Sequence, residues 1–234
     1  VGDVVAEGLM LVPNLLTFRK TEIRVAPEFT AAYKERASHD SFYTAAHVIA
    51  LPDADQTPEQ LAGLAPGIAP ESQFARRLAE SGCRVIIPDL ISRKMTRRQS
   101  DYGGWGSELS HREYLYRSAY EMGRHIAGYE VQTVLSLVDW IEAHQGPERR
   151  RIGVMGYGEG GMIALYAGAL DPRINTVGVS GYFGPRENIW EQPISRNIFG
   201  LLEQFGDAEL ATLIVPRSLV IEAAPGPVAD LPGK

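Results

Sequence analysis

A glycine turn near residues 156–161 carries the strongest chemical signal in the chain. Residues 151–164 read Arg-Ile-Gly-Val-Met-Gly-Tyr-Gly-Glu-Gly-Gly-Met-Ile-Ala, a pattern that predicts a buried strand, a tight turn and a helix start. Gly156, Gly158 and Gly161 match the Gly-x-Gly-x-x-Gly fingerprint of dinucleotide-binding proteins. Alternatively, the turn is a nucleophile elbow in which Gly158 replaces the serine or cysteine that would attack a carbonyl carbon. The two hypotheses predict different functions.

The dinucleotide hypothesis lacks its second signature. That fingerprint needs a carboxylate about 20 positions further on, at the end of the next strand, to bind the ribose. Here the next predicted strand ends in Val-Ser-Gly-Tyr at residues 179–182, without a carboxylate. Glu159 would also place a negative side chain where the pyrophosphate must lie. Nucleotide binding therefore remains an alternative that fits less of the chain than the elbow does.

The elbow hypothesis predicts a turn without its attacking atom. Gly158 has no side chain, so it can neither attack a carbonyl nor form an acyl-enzyme. Glu159 follows it, and its backbone N–H is expected at the oxyanion position. Its side chain is expected to stabilise the helix N-terminus, an effect of typically ~0.3–1 kcal/mol.

The other catalytic groups are also missing or weak. In enzymes with a nucleophile elbow, the acid and then the histidine follow the nucleophile in the chain. All five histidines precede Gly158: His39, His47, His111, His125 and His144. Glu222, at the end of the last predicted strand, is the nearest acid candidate, and Asp230 in the tail is a poorer one. Local hydrogen bonding is the default role for Glu222.

Two further acids follow an early predicted strand. Asp53 and Asp55 lie just after the apolar run 45–51, and we expect them to converge with Glu159 near the top of the sheet. Three carboxylates there would repel a developing oxyanion. Oxygen ligands suit a hard cation, but the spacing is not that of a calcium loop, so we predict neither a metal nor a cofactor.

Strands and helices alternate along the chain, which predicts a mostly parallel sheet covered on both faces. Val131, Val134, Leu135, Val138 and Ile141 recur at helical spacing and predict a core-facing helix stripe. We predict strands near residues 9–12, 21–25, 45–51, 83–88, 176–180 and 217–223, and helices near residues 70–81, 110–145 with a break at Gly123 or Gly128, 159–170, 198–205 and 207–213. The whole chain, 1–234, is predicted to be one domain, with N-terminal strands and loops at 1–44, a core at 45–223 and an irregular tail at 224–234.

Residues 151–171, continued by Pro172-Arg173-Ile174, resemble the α/β-hydrolase superfamily, in particular bacterial dienelactone-hydrolase-like and acetyl-xylan-esterase-like proteins. Residues 74–89 and 125–141 resemble the earlier helices and strand of that group, so the resemblance spans 45–223. It implies an α/β-hydrolase-like three-layer sandwich and carboxylic-ester hydrolysis by Ser-Asp-His chemistry. Whether the last strand and helix of that fold are missing stays open.

The resemblance and the missing groups together favour a catalytically silent hydrolase relative with a binding or assembly role. The first alternative is an active serine-type, acetyl-esterase-like hydrolase whose chain is altered at Gly158 or shortened at its C-terminus. The second alternative is a nucleotide-binding protein that uses the Gly156-Gly158-Gly161 turn.

Composition excludes several partners. The formal net charge is −6 and the pI is about 5.4, which argues against nucleic acid as a partner. No run of 18 apolar residues is present, so no membrane span is predicted. The single cysteine, Cys83, is expected to be a buried inert thiol. The basic residues Arg93, Lys94, Arg97 and Arg98 are expected to form a solvated loop face.

Two expectations concern the chain ends. The chain begins with Val1 rather than methionine, so we expect a processed or trimmed N-terminus and leave the compartment open. If the sheet stops at the strand near residue 222, its edge would be exposed. Another protein chain or domain is then the expected partner at that edge.

Overall fold

The structure is a computed structural model that describes residues 7–13, 22–25, 46–94, 109–144 and 151–227; for residues 22–25 it describes the backbone alone. The predictions for Asp230, Arg97, Arg98 and His39 lie outside these residues.

In the described residues a seven-stranded sheet forms the centre of the fold, in the order β2-β1-β4-β3-β5-β6-β7. The strands from β4 to β7 along this order are parallel, whereas β1 pairs antiparallel with both β2 and β4. The sheet is therefore mostly parallel, as predicted. The strands are β1 (Gly8–Val12), β2 (Glu22–Val25), β3 (His47–Leu51), β4 (Arg84–Pro88), β5 (Ile152–Tyr157), β6 (Ile174–Ser180) and β7 (Ser218–Glu222).

Helices cover the sheet unevenly. One face packs against α4 and α5, whose side chains share a core with Ile49, Leu51 and Val154. The opposite face, at β1, β3 and β4, packs against α1 and α2. The described helices are α1 (Pro58–Leu61), α2 (Phe74–Glu80), α3 (His111–Glu121), α4 (Ile126–His144), α5 (Glu159–Leu170) and α6 (Asp207–Thr212). This arrangement is the three-layer α/β-hydrolase-like fold that was expected.

The second face lies open beside β5, β6 and β7. Alternate residues of β5 are only half-buried, because no described helix covers that side of the strand. Two adjoining grooves of about 520 and 310 Å³ lie along this face and share Met155 in their walls. The smaller groove also runs over Gly178 and Val220. β7 is the outermost strand, and four of its five residues are exposed.

Several element boundaries differ from the predictions. The predicted helix 70–81 is divided: Pro70–Ser72 form a 3-10 turn, and α2 begins only at Phe74, because the ψ of Gln73 is 62°. The predicted helix 198–205 is wrong, since only Leu201–Glu203 form a 3-10 turn there.

The predicted helix break and the predicted apolar stripe agree better with the structure. The break in the long helix falls at Gly123, whose φ is +68°, whereas Gly128 lies within α4. Of the predicted stripe, Leu135 is partly buried against the core and the other four residues are fully buried within it. α1 lies between the predicted strand 45–51 and the predicted helix 70–81, where no helix was predicted. No helix in the described residues is long and apolar enough to cross a membrane.

Candidate functional site

The turn between β5 and α5 has the backbone of a nucleophile elbow. Gly158 adopts φ +59° and ψ −118°, a conformation that L side chains rarely adopt and that glycine tolerates. Its N–H donates to the Ser180 carbonyl at 3.0 Å, which ties the turn to the end of β6. Gly156 and Gly160 make close backbone approaches on either side, where an added Cβ would meet backbone atoms. The strand-turn-helix unit predicted from the sequence is thus present.

Asp53 occupies the space that a side chain at position 158 would need. A Cβ added to Gly158 would collide with the Asp53 carboxylate, and it would lie 2.7 Å from the Cγ of Pro227. Asp53 reaches this point from the loop after β3 and is buried. Its Oδ1 accepts the Glu159 backbone N–H at 2.9 Å. The donor expected for an oxyanion is therefore bonded to a carboxylate of the same chain.

Arg93 contacts all three acids that were expected from the sequence to converge, Asp53, Asp55 and Glu159. Its guanidinium grips the Asp53 carboxylate with two hydrogen bonds, of 2.7 and 2.9 Å. It also donates to Asp55 at 2.5 Å and to Glu159 at 3.1 Å. The three carboxylates thus converge as expected, but Arg93 offsets their repulsion. Its side chain is only 12% exposed, so the expectation of a solvated loop face was wrong for Arg93.

The Glu159 side chain is completely buried and lies among three arginines. Arg196 donates to it at 2.7 Å, Arg93 at 3.1 Å, and Arg112 lies 3.5 Å away. Burial alone would raise the pKa of the Glu159 carboxyl, but the charges of these arginines outweigh burial and hold the pKa below its usual value. Glu159 is therefore the ionised centre of a buried network and not only a helix-terminal charge.

Arg112 also joins the site to the helical layer. It makes a buried two-pronged pair with Glu130, with distances of 2.6 and 2.8 Å. Both side chains also bind the backbone of Ile91, which fixes the loop after β4 that carries Arg93. Removing either partner would leave a buried charge without its counter-ion.

Glu222 lies at the same edge of the sheet, at the end of β7. It accepts a 2.6 Å hydrogen bond from the Ser180 hydroxyl, the local contact expected of a strand-end acid. His125 lies at the start of α4, where its ring contacts Tyr116 and the Asn197 carbonyl and its Nδ1 accepts a backbone N–H. None of these His125 contacts involves a residue of the elbow.

The chemistry of this site follows from its contacts. A buried carboxylate held by a guanidinium fork and a backbone N–H is a weak nucleophile, because its lone pairs are already engaged. In the described residues no group of three or more histidine, cysteine, aspartate or glutamate side chains could hold a metal ion. The arrangement is suited to holding a carboxylate in place.

The sequence did not assign the arginines to this site. Arg93 was noted only as part of a basic cluster, and Arg112 and Arg196 come from two other segments without a distinguishing pattern. A usable sequence signal was the expected meeting of three acids at one end of the sheet. Buried acids require positively charged partners, so side chains such as arginine had to lie nearby.

Comparison with protein families gives a match to the model of the dienelactone hydrolase family over residues 61–203. Comparison with curated proteins gives no match. Among solved structures, a candidate acetyl xylan esterase from Bacteroides fragilis is similar at 18% identity and a TM-score of 0.59, over 76% of this chain. At that identity the likeness establishes the fold alone.

Two further solved structures are glucuronoyl esterases. The protein from Caldicellulosiruptor kristjansonii aligns at 18% identity over 77% of this chain with a TM-score of 0.44. The protein from Solibacter usitatus aligns at 14% over 76% with a TM-score of 0.45. This chain spans only about half of the three structures, namely 52%, 54% and 55% of their lengths.

Proposed function

Because this chain belongs to the dienelactone hydrolase family, we propose that it keeps the α/β-hydrolase architecture without ester hydrolysis and serves a binding or assembly role. One observation carries the first part of the proposal. The Asp53 carboxylate fills the space above Gly158 and engages the Glu159 N–H, so substrate would meet neither a nucleophile nor a free oxyanion donor.

The elbow differs from an active one in more than the missing serine. A side chain introduced at position 158 would collide with Asp53 and Pro227. Restoring a hydroxyl would therefore not restore the elbow unless the loop after β3 also moved. In an active site that had lost only its nucleophile, by contrast, the space for that side chain would remain open.

Ester turnover tests the catalytic half of the proposal. The unmodified chain, Gly158→Ser and the double variant Gly158→Ser/Asp53→Ala are assayed with an aryl acetate. We expect the first two to match the buffer rate. Asp53→Asn serves as a matched control for any hydrolysis that uses the Asp53 carboxylate. Turnover by the unmodified chain that disappears in Asp53→Asn would refute the proposal.

The proposed binding or assembly role rests on the exposed edge of the sheet at β7. Val220 and Ile221 of β7 are exposed on opposite faces, although parallel sheets are normally covered on both. The groove over Met155 and Gly178 continues this uncovered surface. Exposed edges of this kind are sites of pairing or docking with another chain or domain.

Light scattering after size-exclusion chromatography tests this role for self-association. We expect a concentration-dependent species larger than the 25.7 kDa monomer. Val220→Lys should weaken it, whereas Tyr120→Lys, a change of an equally exposed side chain on α3, should not. A monomer at every concentration would count against self-association at this edge.

The second candidate is an active serine-type esterase whose chain is altered or shortened. Glu222 favours it, because this acid ends a strand two places from β5 at the same edge of the sheet as the elbow. Intact-mass analysis of the protein purified from its natural source tests this candidate. A mass far above 25.7 kDa, or a serine at position 158, would support the esterase.

Nucleotide binding fits the geometry less well. The N-terminus of α5, where a pyrophosphate would lie, holds the Asp53 carboxylate and the buried Glu159 side chain. Calorimetric titration with NAD, FAD and ATP should show no binding.

A further inference from the structure

The space that Asp53 fills has the chemistry of a carboxylate receptor. Arg93 supplies two donors in a fork, at 2.7 and 2.9 Å, and the Glu159 backbone N–H supplies a third at 2.9 Å. A planar carboxylate matches a guanidinium fork, and a helix N-terminus favours negative charge. We propose that Arg93 and the Glu159 N–H form a carboxylate-binding site, which Asp53 closes by acting as an intramolecular ligand.

Buried groups from separate parts of the chain hold this site in place. The Asp53 side chain is 97% buried, since only 3% of it is exposed, and its two oxygens meet donors from separate parts of the chain. Gly158 provides the floor, because any side chain there would take the volume of the carboxylate. Arg93 itself is fixed by Asp55 and Glu159, so the fork is oriented before any ligand arrives.

The ligand class follows from the size and charge of the space. Pro227 lies against Gly158 and limits the volume, so small carboxylic acids such as formate and acetate fit best. An external carboxylate that displaces Asp53 leaves the charge within the site unchanged. A ligand of larger charge would face Asp55 and Glu159 as well, which opposes its binding.

In the unmodified chain Asp53 occupies the site. When the state with Asp53 displaced is only fractionally populated, the apparent affinity for an added carboxylate falls by that fraction. Deleting the Asp53 side chain should therefore reveal a carboxylate site that the unmodified chain does not display. Asp53→Asn is the matched control, because the amide fills the same volume without leaving room for a ligand.

Thermal unfolding with sodium formate, compared with sodium chloride at equal ionic strength, tests this proposal. For Asp53→Gly we expect formate to raise the midpoint by roughly 2–4 °C once its concentration is about five times its Kd. Neither the unmodified chain nor Asp53→Asn should respond to formate beyond chloride. Asp53→Gly/Arg93→Gln should lose the response, because the fork is gone.

An equal response of Asp53→Gly to formate and to chloride would overturn the proposal. If Asp53→Gly does not fold without additive, its refolding yield becomes the readout. A higher yield in formate than in chloride supports the site, and equal yields refute it. The outcome is independent of the proposed lack of hydrolysis, which is decided by ester turnover.

Discussion

Replacing Gly158 with alanine tests how tightly the elbow is closed. The substitution adds one methyl group at a backbone with φ +59°, where it would meet the Asp53 carboxylate and two carbons of Pro227 at 2.7 and 2.9 Å. The backbone conformation alone costs an L residue about 1–3 kcal/mol, because φ +59° with ψ −118° lies in a sparsely populated region outside the left-handed helical one. Overpacking adds about 1–3 kcal/mol. We therefore expect Gly158→Ala to lower the free energy of unfolding by about 2–6 kcal/mol.

Gly200→Ala provides a control without crowding. Gly200 also has a positive φ, +75°, but nothing lies within 4 Å of the Cβ that would be added there. Its ψ of −10° is left-handed helical, unlike the −118° of Gly158, so its substitution should cost only about 1–2 kcal/mol. Urea denaturation of the two variants beside the unmodified chain gives both free energies. Their difference combines the crowding by Asp53 and Pro227 with the rarer backbone conformation of Gly158.

The coupling between the two sides of the contact can be measured as well. If Asp53 causes the crowding, Gly158→Ala should cost less in an Asp53→Ala background than in the unmodified chain. A cost for Gly158→Ala no larger than that for Gly200→Ala would refute the reasoning. It would mean that the space above the turn is open.

Two further predictions concern the buried charges. Glu130→Gln removes the hydrogen-bonded counter-ion of Arg112, which keeps only Glu159 at 3.5 Å, and should cost about 3–5 kcal/mol in urea denaturation. Glu113→Gln, in a helical pair whose Arg117 side chain is 53% exposed, should cost under about 1 kcal/mol. Equal costs would contradict the assigned burial. Burial lowers the pKa of His125 below its usual value, although a bond to the Asn197 carbonyl opposes this. The unfolded chain then binds the proton more tightly, so stability should fall as the pH drops below about 6.5, and His125→Gln should remove that part of the pH dependence.

The architecture could be predicted from the sequence because its signals are local. Apolar runs at 45–51 and 83–88 and the glycine turn all specify elements within a few residues. The failures have physical reasons. Residues 198–205 are apolar enough for a helix, but Gly200 adopts a left-handed conformation that interrupts it. The ψ of 62° at Gln73 likewise divides the predicted helix 70–81.

Of the residues in the site, only the three acids could be predicted from the sequence. Asp53, Asp55 and Glu159 follow two neighbouring parallel strands, and the carboxyl ends of such strands meet at one edge. Arg93 reaches the same point from a loop and Arg196 from the 3-10 turn Ile194–Arg196, and no local pattern specifies the path of either segment. The bond from the Glu159 N–H to Asp53 joins residues 106 positions apart, so it depends on the assembled sheet.

Trapping an acyl adduct tests the central claim most directly. The unmodified chain is incubated with excess aryl acetate, quenched in acid and analysed by intact-mass spectrometry with peptide mapping. With Gly158 lacking an attacking atom and Asp53 held by Arg93, we predict that the mass stays at that of the 25.7 kDa chain. An acetyl group on Asp53, or on any other side chain beside the turn, would contradict the account.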